Sequence, residues 1–120
     1  MKQAVDRKDE AEKRRIVEPW GTLRWLASRG VGNAREITVG LVTINRGMNN
    51  PRHRHPVSEE VLHLLRGRLR HTIGRDAVDL EPGDTIVIPS GVYHNATSTG
   101  VVAAEMLVAY PAGDRDFEPE

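Results

Sequence analysis

The alternation of apolar and polar positions predicts β-strands along most of the chain. The clearest strand covers residues 36–45, which are rich in β-branched side chains. Successive side chains of a strand point to opposite faces, and here apolar residues fall on both faces. This pattern is typical of a strand whose two faces are both covered, as in a sheet that packs on another sheet.

Further short strands are separated by turns that contain glycine or proline. The predicted strands are residues 23–26, 68–74, 77–80, 85–88 and 101–110, and the predicted turns are residues 19–21, 74–76, 81–84 and 89–91. We count about eight strands and find no convincing helix in the body of the chain. The pattern predicts an all-β protein, an antiparallel sandwich or barrel.

The two ends of the chain differ from its body in composition. Residues 1–15 are charged and hold all three lysines, and a pair such as Glu10 and Arg14 supports a marginal helix. We interpret this segment as a solvated N-terminal arm, with packing on a partner subunit as the alternative. Residues 16–112 form a single domain, and residues 113–120 are a polar tail that we expect to be loose.

Composition excludes several classes of function. A chain of 120 residues forms one domain, and 17 basic against 17 acidic residues leave no net charge to attract nucleic acid. The absence of cysteine excludes disulfides and thiolate metal sites. No apolar run approaches the roughly 18 residues of a membrane span. We therefore expect a cytoplasmic protein with neither a nucleic acid nor a membrane as partner.

Residues 47–67 contain candidate metal ligands. His53 and His55 share one face of an extended strand, whereas a helix would set them roughly 200° apart. Glu59 and Glu60 follow, and only one of the two can face the same point. In a double sheet that encloses a cavity, His94 can meet the first pair. The spacing predicts a metal site in a β-rich protein.

These residues resemble the motifs of the cupin family. The first motif, G-x5-H-x-H-x(3,4)-E-x6-G, is matched by Gly47, His53, His55, Glu60 and Gly67. The second, G-x5-P-x-G-x2-H-x3-N, is matched by Gly83, Pro89, Gly91 and His94, with Ser98 at the final position. The resemblance covers residues 47–98 and implies a double-stranded β-helix, or jelly-roll barrel.

The resemblance also implies the ligand set, which is His53, His55, Glu60 and His94. Family spacing to Gly67 selects Glu60 over Glu59, and the pleat agrees because Glu60 shares its face with Leu62. Three imidazoles and one carboxylate suit one divalent transition metal, Fe²⁺, Mn²⁺, Zn²⁺, Ni²⁺, Co²⁺ or Cu²⁺, and leave positions open on an octahedral ion. We interpret the other two histidines, His63 and His71, as hydrogen-bonded packing residues.

The strand pattern indicates which residues are candidates for acid–base and pocket roles around the metal. The candidate acids and bases are Glu60, Tyr110 and Glu105. The candidate pocket residues are Met48, Asn50, Arg46 and Met106, because they share a face with a ligand or precede the histidines. Trp20 and Trp25 are interpreted as core or interface anchors. An aromatic-lined pocket would nevertheless have to use them, since the chain has one Phe and two Tyr.

The sequence favours a small metalloenzyme that acts on an oxygen-bearing small molecule. Resemblance to single-domain cupins ranks dioxygenase-type oxidation of an enolic or phenolic substrate first, and non-redox cyclase, lyase or isomerase chemistry close behind. The alternative is a non-catalytic module that binds or senses a small molecule. A homodimer is expected because so small a sandwich leaves sheet edges to cover, with the tryptophan strand and the N-terminal arm as candidate contacts.

Overall fold

Two antiparallel β-sheets face each other in the computed structural model, which describes residues 5–120. The elements in chain order are α1 Lys8–Lys13, β1 Ile16–Glu18, β2 Gly21–Ala27, β3 Thr38–Ile44, β4 His53–Arg54, β5 Glu60–Arg66, β6 Leu69–Ile73, β7 Asp76–Leu80, β8 Thr85–Ile88, β9 His94–Ser98, β10 Ala104–Tyr110 and β11 Glu118–Pro119. One sheet has the order β1-β2-β3-β10-β5-β8 and the other β11-β4-β9-β6-β7. The predicted all-β jelly-roll fold is confirmed.

The predicted hairpin between residues 68 and 80 is confirmed. Strands β6 and β7 pair from Leu69 opposite Leu80 to Ile73 opposite Asp76. The turn between them contains Gly74, which has a φ of +58°. Glycine adopts this backbone conformation without steric cost because it has no Cβ. The local sequence is sufficient to predict this hairpin because a tight turn fixes the register of both strands.

Strand β3 has one buried face rather than two. Thr38, Val42 and Ile44 point between the sheets and are buried. On the outer face the side chains of Val39 and Leu41 are only half-buried. The expectation that both faces are covered is therefore wrong on the outer side, because the second sheet covers only the inner face.

The N-terminal arm packs on its own chain in the part that the structure describes, residues 5–15; residues 1–4 lie outside the described residues. Ala11 of α1 is buried. Arg14 donates hydrogen bonds to Asp6 (3.1 Å) and to the carbonyl of Trp25 in β2 (2.9 Å). Most side chains of this segment are exposed, as in a solvated arm, but Ala11 is buried and Arg14 donates to β2, which attach the segment to the body of the chain. No helix within residues 5–120 has the length and apolar character needed to cross a membrane.

The C-terminal tail is ordered against β4, contrary to the expectation that it is loose. Strand β11 pairs with β4, with Glu118 opposite Arg54. Arg54 donates to Glu118 (2.7 Å) and Arg52 donates to Glu120 (2.9 Å). The acidic residues at 116, 118 and 120 alternate as in a strand, a signal too short to identify without knowing that two arginines lie opposite.

Apolar side chains fill one end of the space between the sheets. Ile44, Leu64 and Leu69 have no exposed surface, and Ile88 has almost none. The burial of alternate residues in β5 and β10 shows that both strands turn one face inward. The opposite end of the same space contains polar side chains and a cavity.

Replacing Gly67 by alanine is expected to destabilise the protein more than the same change at Gly83. Both residues have positive φ, +81° and +96°, so each alanine costs about 1–2 kcal/mol of backbone strain. A Cβ at Gly67 would also lie 2.8 Å from the carbonyl oxygen of Ala103, whereas at Gly83 it meets nothing within 4 Å. Displacement of the backbone at Ala103 by this Cβ adds about 1–3 kcal/mol to the loss of stability at Gly67. Urea unfolding of both variants tests this, and equal losses of stability would contradict it.

Candidate metal centre

Four buried side chains converge at the polar end of the space between the sheets. They are His53 in β4, His55 just after it, Glu60 at the start of β5 and His94 at the start of β9. One nitrogen or oxygen atom from each lies within 4.8 Å of the others. His53 and His94 are direct register partners in neighbouring strands. The structure thus brings together the four residues that the sequence predicts as ligands.

Backbone carbonyl groups orient the three imidazole rings. The Nδ1 atoms donate to the carbonyl oxygens of Pro51 for His53 (2.8 Å), of Asp116 for His55 (2.6 Å) and of Val92 for His94 (2.8 Å). A neutral imidazole has a single N–H group, so these bonds leave each Nε2 with a free lone pair. Partners of this kind hold histidines in the tautomer that binds metal.

The spacing of the donor atoms fits a divalent cation. Oε1 of Glu60 lies 3.1 Å from Nε2 of His55 and 3.2 Å from Nε2 of His94. Two ligand atoms at right angles on an ion about 2.1 Å away are separated by about 3 Å. With each Nδ1 donating to a carbonyl, neutral rings direct lone pairs at a negative oxygen, an arrangement that a cation between them relieves. The donor set therefore forms a metal-binding group.

The protonation states of the group also suit a metal. Burial acts to raise the pKa of Glu60, but the nearby rings of His55 and His94 outweigh it and lower that pKa to about 2. Burial lowers the pKa of His53 to about 4, although its bond to Pro51 acts in the opposite direction. A carboxylate and a neutral imidazole at neutral pH are the forms that coordinate metal ions.

A cavity of about 290 Å³ opens in front of the metal-binding group. His53, Glu60 and His94 line it, and so do the predicted pocket residues Asn50 and Met106. The other lining residues include Leu62, Val42, Val108, Ala96, Leu23, Trp20 and Trp25. The wall is thus mainly apolar, and the tryptophans that we interpreted as core or interface anchors form part of it.

Tyr110, a candidate acid or base, also lines the cavity and is almost fully buried. Its ring packs edge-on against His55, with centroids 4.7 Å apart. Burial raises its pKa well above the usual value, and the charge of Glu60 together with the Tyr110–Glu60 hydrogen bond adds to the rise. The phenol therefore stays protonated and acts as a hydrogen-bond donor.

Three predicted site residues lie outside the cavity. Arg46 and Met48 are exposed on either side of Gly47. The φ of +76° at Gly47 turns the chain there, which separates Arg46 from the segment that leads to His53. Glu105 lies on β10 between two inward-facing residues, and the pleat directs it to the outer face.

Sequence reasoning missed two cavity residues in the C-terminal tail. Phe117 stacks on the ring of His53, with centroids 4.9 Å apart and an angle of 24°. The guanidinium of Arg115 lies 4.8 Å from the ring centre of Trp25 and 4.8 Å from that of Phe117. Nothing near these residues in the sequence indicates a site, since their contacts depend on the docking of the tail.

His71 lies beside the metal-binding group without being part of it. Its ring is parallel to that of His94, with centroids 5.7 Å apart, and it lines the cavity. The interpretation as a hydrogen-bonded packing residue is right about burial, but among residues 5–120 its Nδ1 has no hydrogen-bond partner. Burial lowers its pKa to about 4, which keeps the ring neutral. His63 is half-buried away from the cavity, where Nδ1 pairs with the hydroxyl of Thr85 (2.7 Å).

Replacing Asp116 by alanine is expected to lower the affinity for Zn²⁺ about tenfold. The carboxylate of Asp116 accepts from the backbone N–H of Val57 (2.6 Å) and so holds its own carbonyl against His55. Loss of such an outer partner costs about 10–100-fold in metal affinity. Calorimetric titration tests this, with Asp114→Ala as the matched control because Asp114 is exposed and pairs only with Arg29 among the described residues. Equal affinities in the two variants would contradict the prediction.

Comparison with known proteins agrees with this geometry. The cupin domain family matches residues 40–110. Germin-like protein 3-8 of Oryza sativa subsp. japonica is 31% identical over 83 residues, which are 65% of this chain and 37% of that protein. The chain thus spans little more than a third of the length of that relative.

Solved structures share the fold at lower identity. Oxalate decarboxylase of Lactobacillus farciminis, in complex with formate, superposes with a TM-score of 0.81 at 20% identity, over 88% of this chain and 33% of that chain. A double-stranded β-helix protein from Klebsiella pneumoniae has a TM-score of 0.78 at 16% identity, over 96% and 89% of the two chains. Because the family match covers more than half of the residues, and the fold agrees with it, the chain belongs to the cupin family.

Proposed function

We propose that this protein is a metal-dependent enzyme that acts on an oxygen-bearing small molecule. The proposal is carried by one observation: the free lone pairs of three oriented imidazoles meet an ionised carboxylate beside a cavity that His53, Glu60 and His94 line. A set of four protein ligands leaves positions open on a six-coordinate ion. Open positions that face a cavity are typical of catalytic rather than structural metal sites.

In this proposal the residues of the chain have different roles. His53, His55, His94 and Glu60 would hold the ion, which supplies Lewis acidity and, for a redox-active metal, electron transfer. Burial keeps the hydroxyl of Tyr110 protonated, so it offers a hydrogen-bond donor at the cavity wall. The apolar wall excludes bulk water, which strengthens every polar contact that a substrate makes inside.

Dioxygenase-type oxidation of an enolic or phenolic substrate remains our first choice of reaction. An apolar wall that includes Trp20 and Trp25 favours a planar, partly unsaturated substrate. Non-redox cyclase, lyase or isomerase chemistry on the same class of substrate ranks close behind. The solved oxalate decarboxylase of similar fold adds oxalate to the compounds that deserve testing.

Replacing Glu60 by glutamine is expected to lower the affinity for Mn²⁺ and Zn²⁺ by about 100-fold or more. The change removes the only negative charge of the donor set, which is a larger loss than that of an outer hydrogen-bond partner. Glu59→Gln is the matched control, since Glu59 is the adjacent residue and is exposed. Isothermal titration measures both variants. Equal losses, or none in the Glu60 variant, would exclude this metal-binding group.

Oxygen uptake separates the redox proposal from its alternatives. The protein loaded anaerobically with Fe²⁺ is expected to consume oxygen with at least one member of a panel of enolic and phenolic compounds. His53→Ala should reduce the rate by about 100-fold or more, because a ligand that faces the cavity is lost. Product formation without oxygen uptake would favour non-redox chemistry. Tight metal binding without turnover of any compound would favour the non-catalytic binding module.

A further inference from the structure

Arg115 is a positive group at the wall of the cavity whose role the metal-binding group does not explain. Its guanidinium lies against two aromatic rings, that of Trp25 and that of Phe117, at 4.8 Å from each ring centre. Contact with two ring faces holds the cation by cation–π attraction and limits its freedom. The group is therefore positioned in advance rather than free to move in solvent.

The charge of Arg115 has no acidic partner within residues 5–120. The arginines that anchor the same tail differ in this respect, since Arg54 forms a salt bridge with Glu118 and Arg52 one with Glu120. Glu18 lines the same cavity but forms no salt bridge with Arg115. No N–H group of Arg115 donates to an acceptor within residues 5–120, so these groups are available for a ligand.

The cavity wall combines apolar side chains with polar groups, among them Arg115 and the metal-binding group. Leu62, Val42 and Val108 line the part that is apolar, and the metal-binding group contributes His53, Glu60 and His94. The ring of Phe117 lies between Arg115 and His53, with separations of 4.8 and 4.9 Å. A molecule in the cavity can therefore contact the guanidinium and the metal-binding group at the same time, with an apolar body between.

We propose that Arg115 binds the carboxylate of the substrate, and that the substrate is an organic acid with an apolar, planar body. A guanidinium presents two parallel N–H groups that match the two oxygens of a carboxylate. Apolar side chains that line the cavity, such as Leu62 and Val108, contact the body. This inference rests on the proposed function, because the oxygen-bearing end of the acid faces the metal-binding group. The cavity volume of about 290 Å³ restricts the acid to a small one.

The competing interpretation is that Arg115 only fastens the tail to β2 through its aromatic contacts. A structural clamp and a carboxylate receptor respond differently to substitution. Loss of a clamp weakens binding of charged and uncharged molecules alike, since it disturbs the shape of the cavity. Loss of a receptor removes only the preference for the charged molecule.

Binding of benzoate and benzamide to the full chain distinguishes the two. The probes have the same shape, and only benzoate carries a charge at neutral pH. The fluorescence of Trp25 and Trp20, which line the cavity, reports binding in the metal-free and the Zn²⁺-loaded protein. We expect benzoate to bind at least tenfold more tightly than benzamide in both forms. In the metal-free protein, Arg115→Gln should abolish this preference and leave benzamide affinity unchanged.

Two further variants complete the experiment. Arg115→Lys should retain part of the preference, because the charge remains while the two parallel N–H groups are lost. Arg75→Gln should behave as the unmodified protein, since it removes the same charge from the exposed turn between β6 and β7. The preference of the Arg75 variant controls for a general effect of net charge.

The proposal is overturned by any of three results. These are failure of millimolar benzoate to bind the unmodified protein, equal affinity for benzoate and benzamide, and an unchanged preference in Arg115→Gln. A parallel loss of affinity for both probes in Arg115→Gln would identify Arg115 as a structural clamp. Failure of the proposed function would be seen separately, as absence of metal binding or turnover, while the preference of the metal-free protein for benzoate persisted.

Discussion

The burial of the Glu60 carboxylate is the constraint on which the rest of the site depends. An ionised carboxylate between two sheets is costly unless hydrogen bonds or a cation compensate it. His55 and His94 lie within 3.2 Å of its Oε1, and a cation between these atoms would compensate the charge. His94 comes from a strand of the other sheet, 34 residues from Glu60 in the sequence, so this arrangement exists only when both sheets are assembled. The metal-binding group and the fold therefore form together.

The tail links this group to the cavity. Asp116 offers its carbonyl to His55 and its carboxylate to the backbone of Val57, and the next residue, Phe117, stacks on His53. Arg115 precedes them and lies at the cavity wall. One short segment thus orients a ligand, covers a second ligand and brings a positive charge to the cavity. The orientation of His55 and the position of Arg115 consequently depend on the same stretch of chain.

Much of the site follows from the pleat of β5 and β10. Successive side chains alternate between faces, so Glu60 and Leu62 point inward while Glu59 and Val61 point outward. The same alternation puts Met106 and Tyr110 at the cavity and Glu105 on the outer face. The inclusion of Glu105 among the candidate acids and bases was therefore at odds with the alternation that selected its neighbours.

The sequence alone determined the strand pattern and the shared face of His53 and His55, because each depends on local periodicity. The resemblance to the cupin motif, through its spacing to Gly67, selected Glu60. The exclusion of Arg46 depended on the positive φ at Gly47, which sequence spacing does not reveal. Only the tertiary structure decided the roles of Asp116, Phe117 and Arg115, since His55 and Asp116 are 61 residues apart. A contact over such a distance is set by the packing of whole strands. No local pattern of apolar and polar residues encodes it.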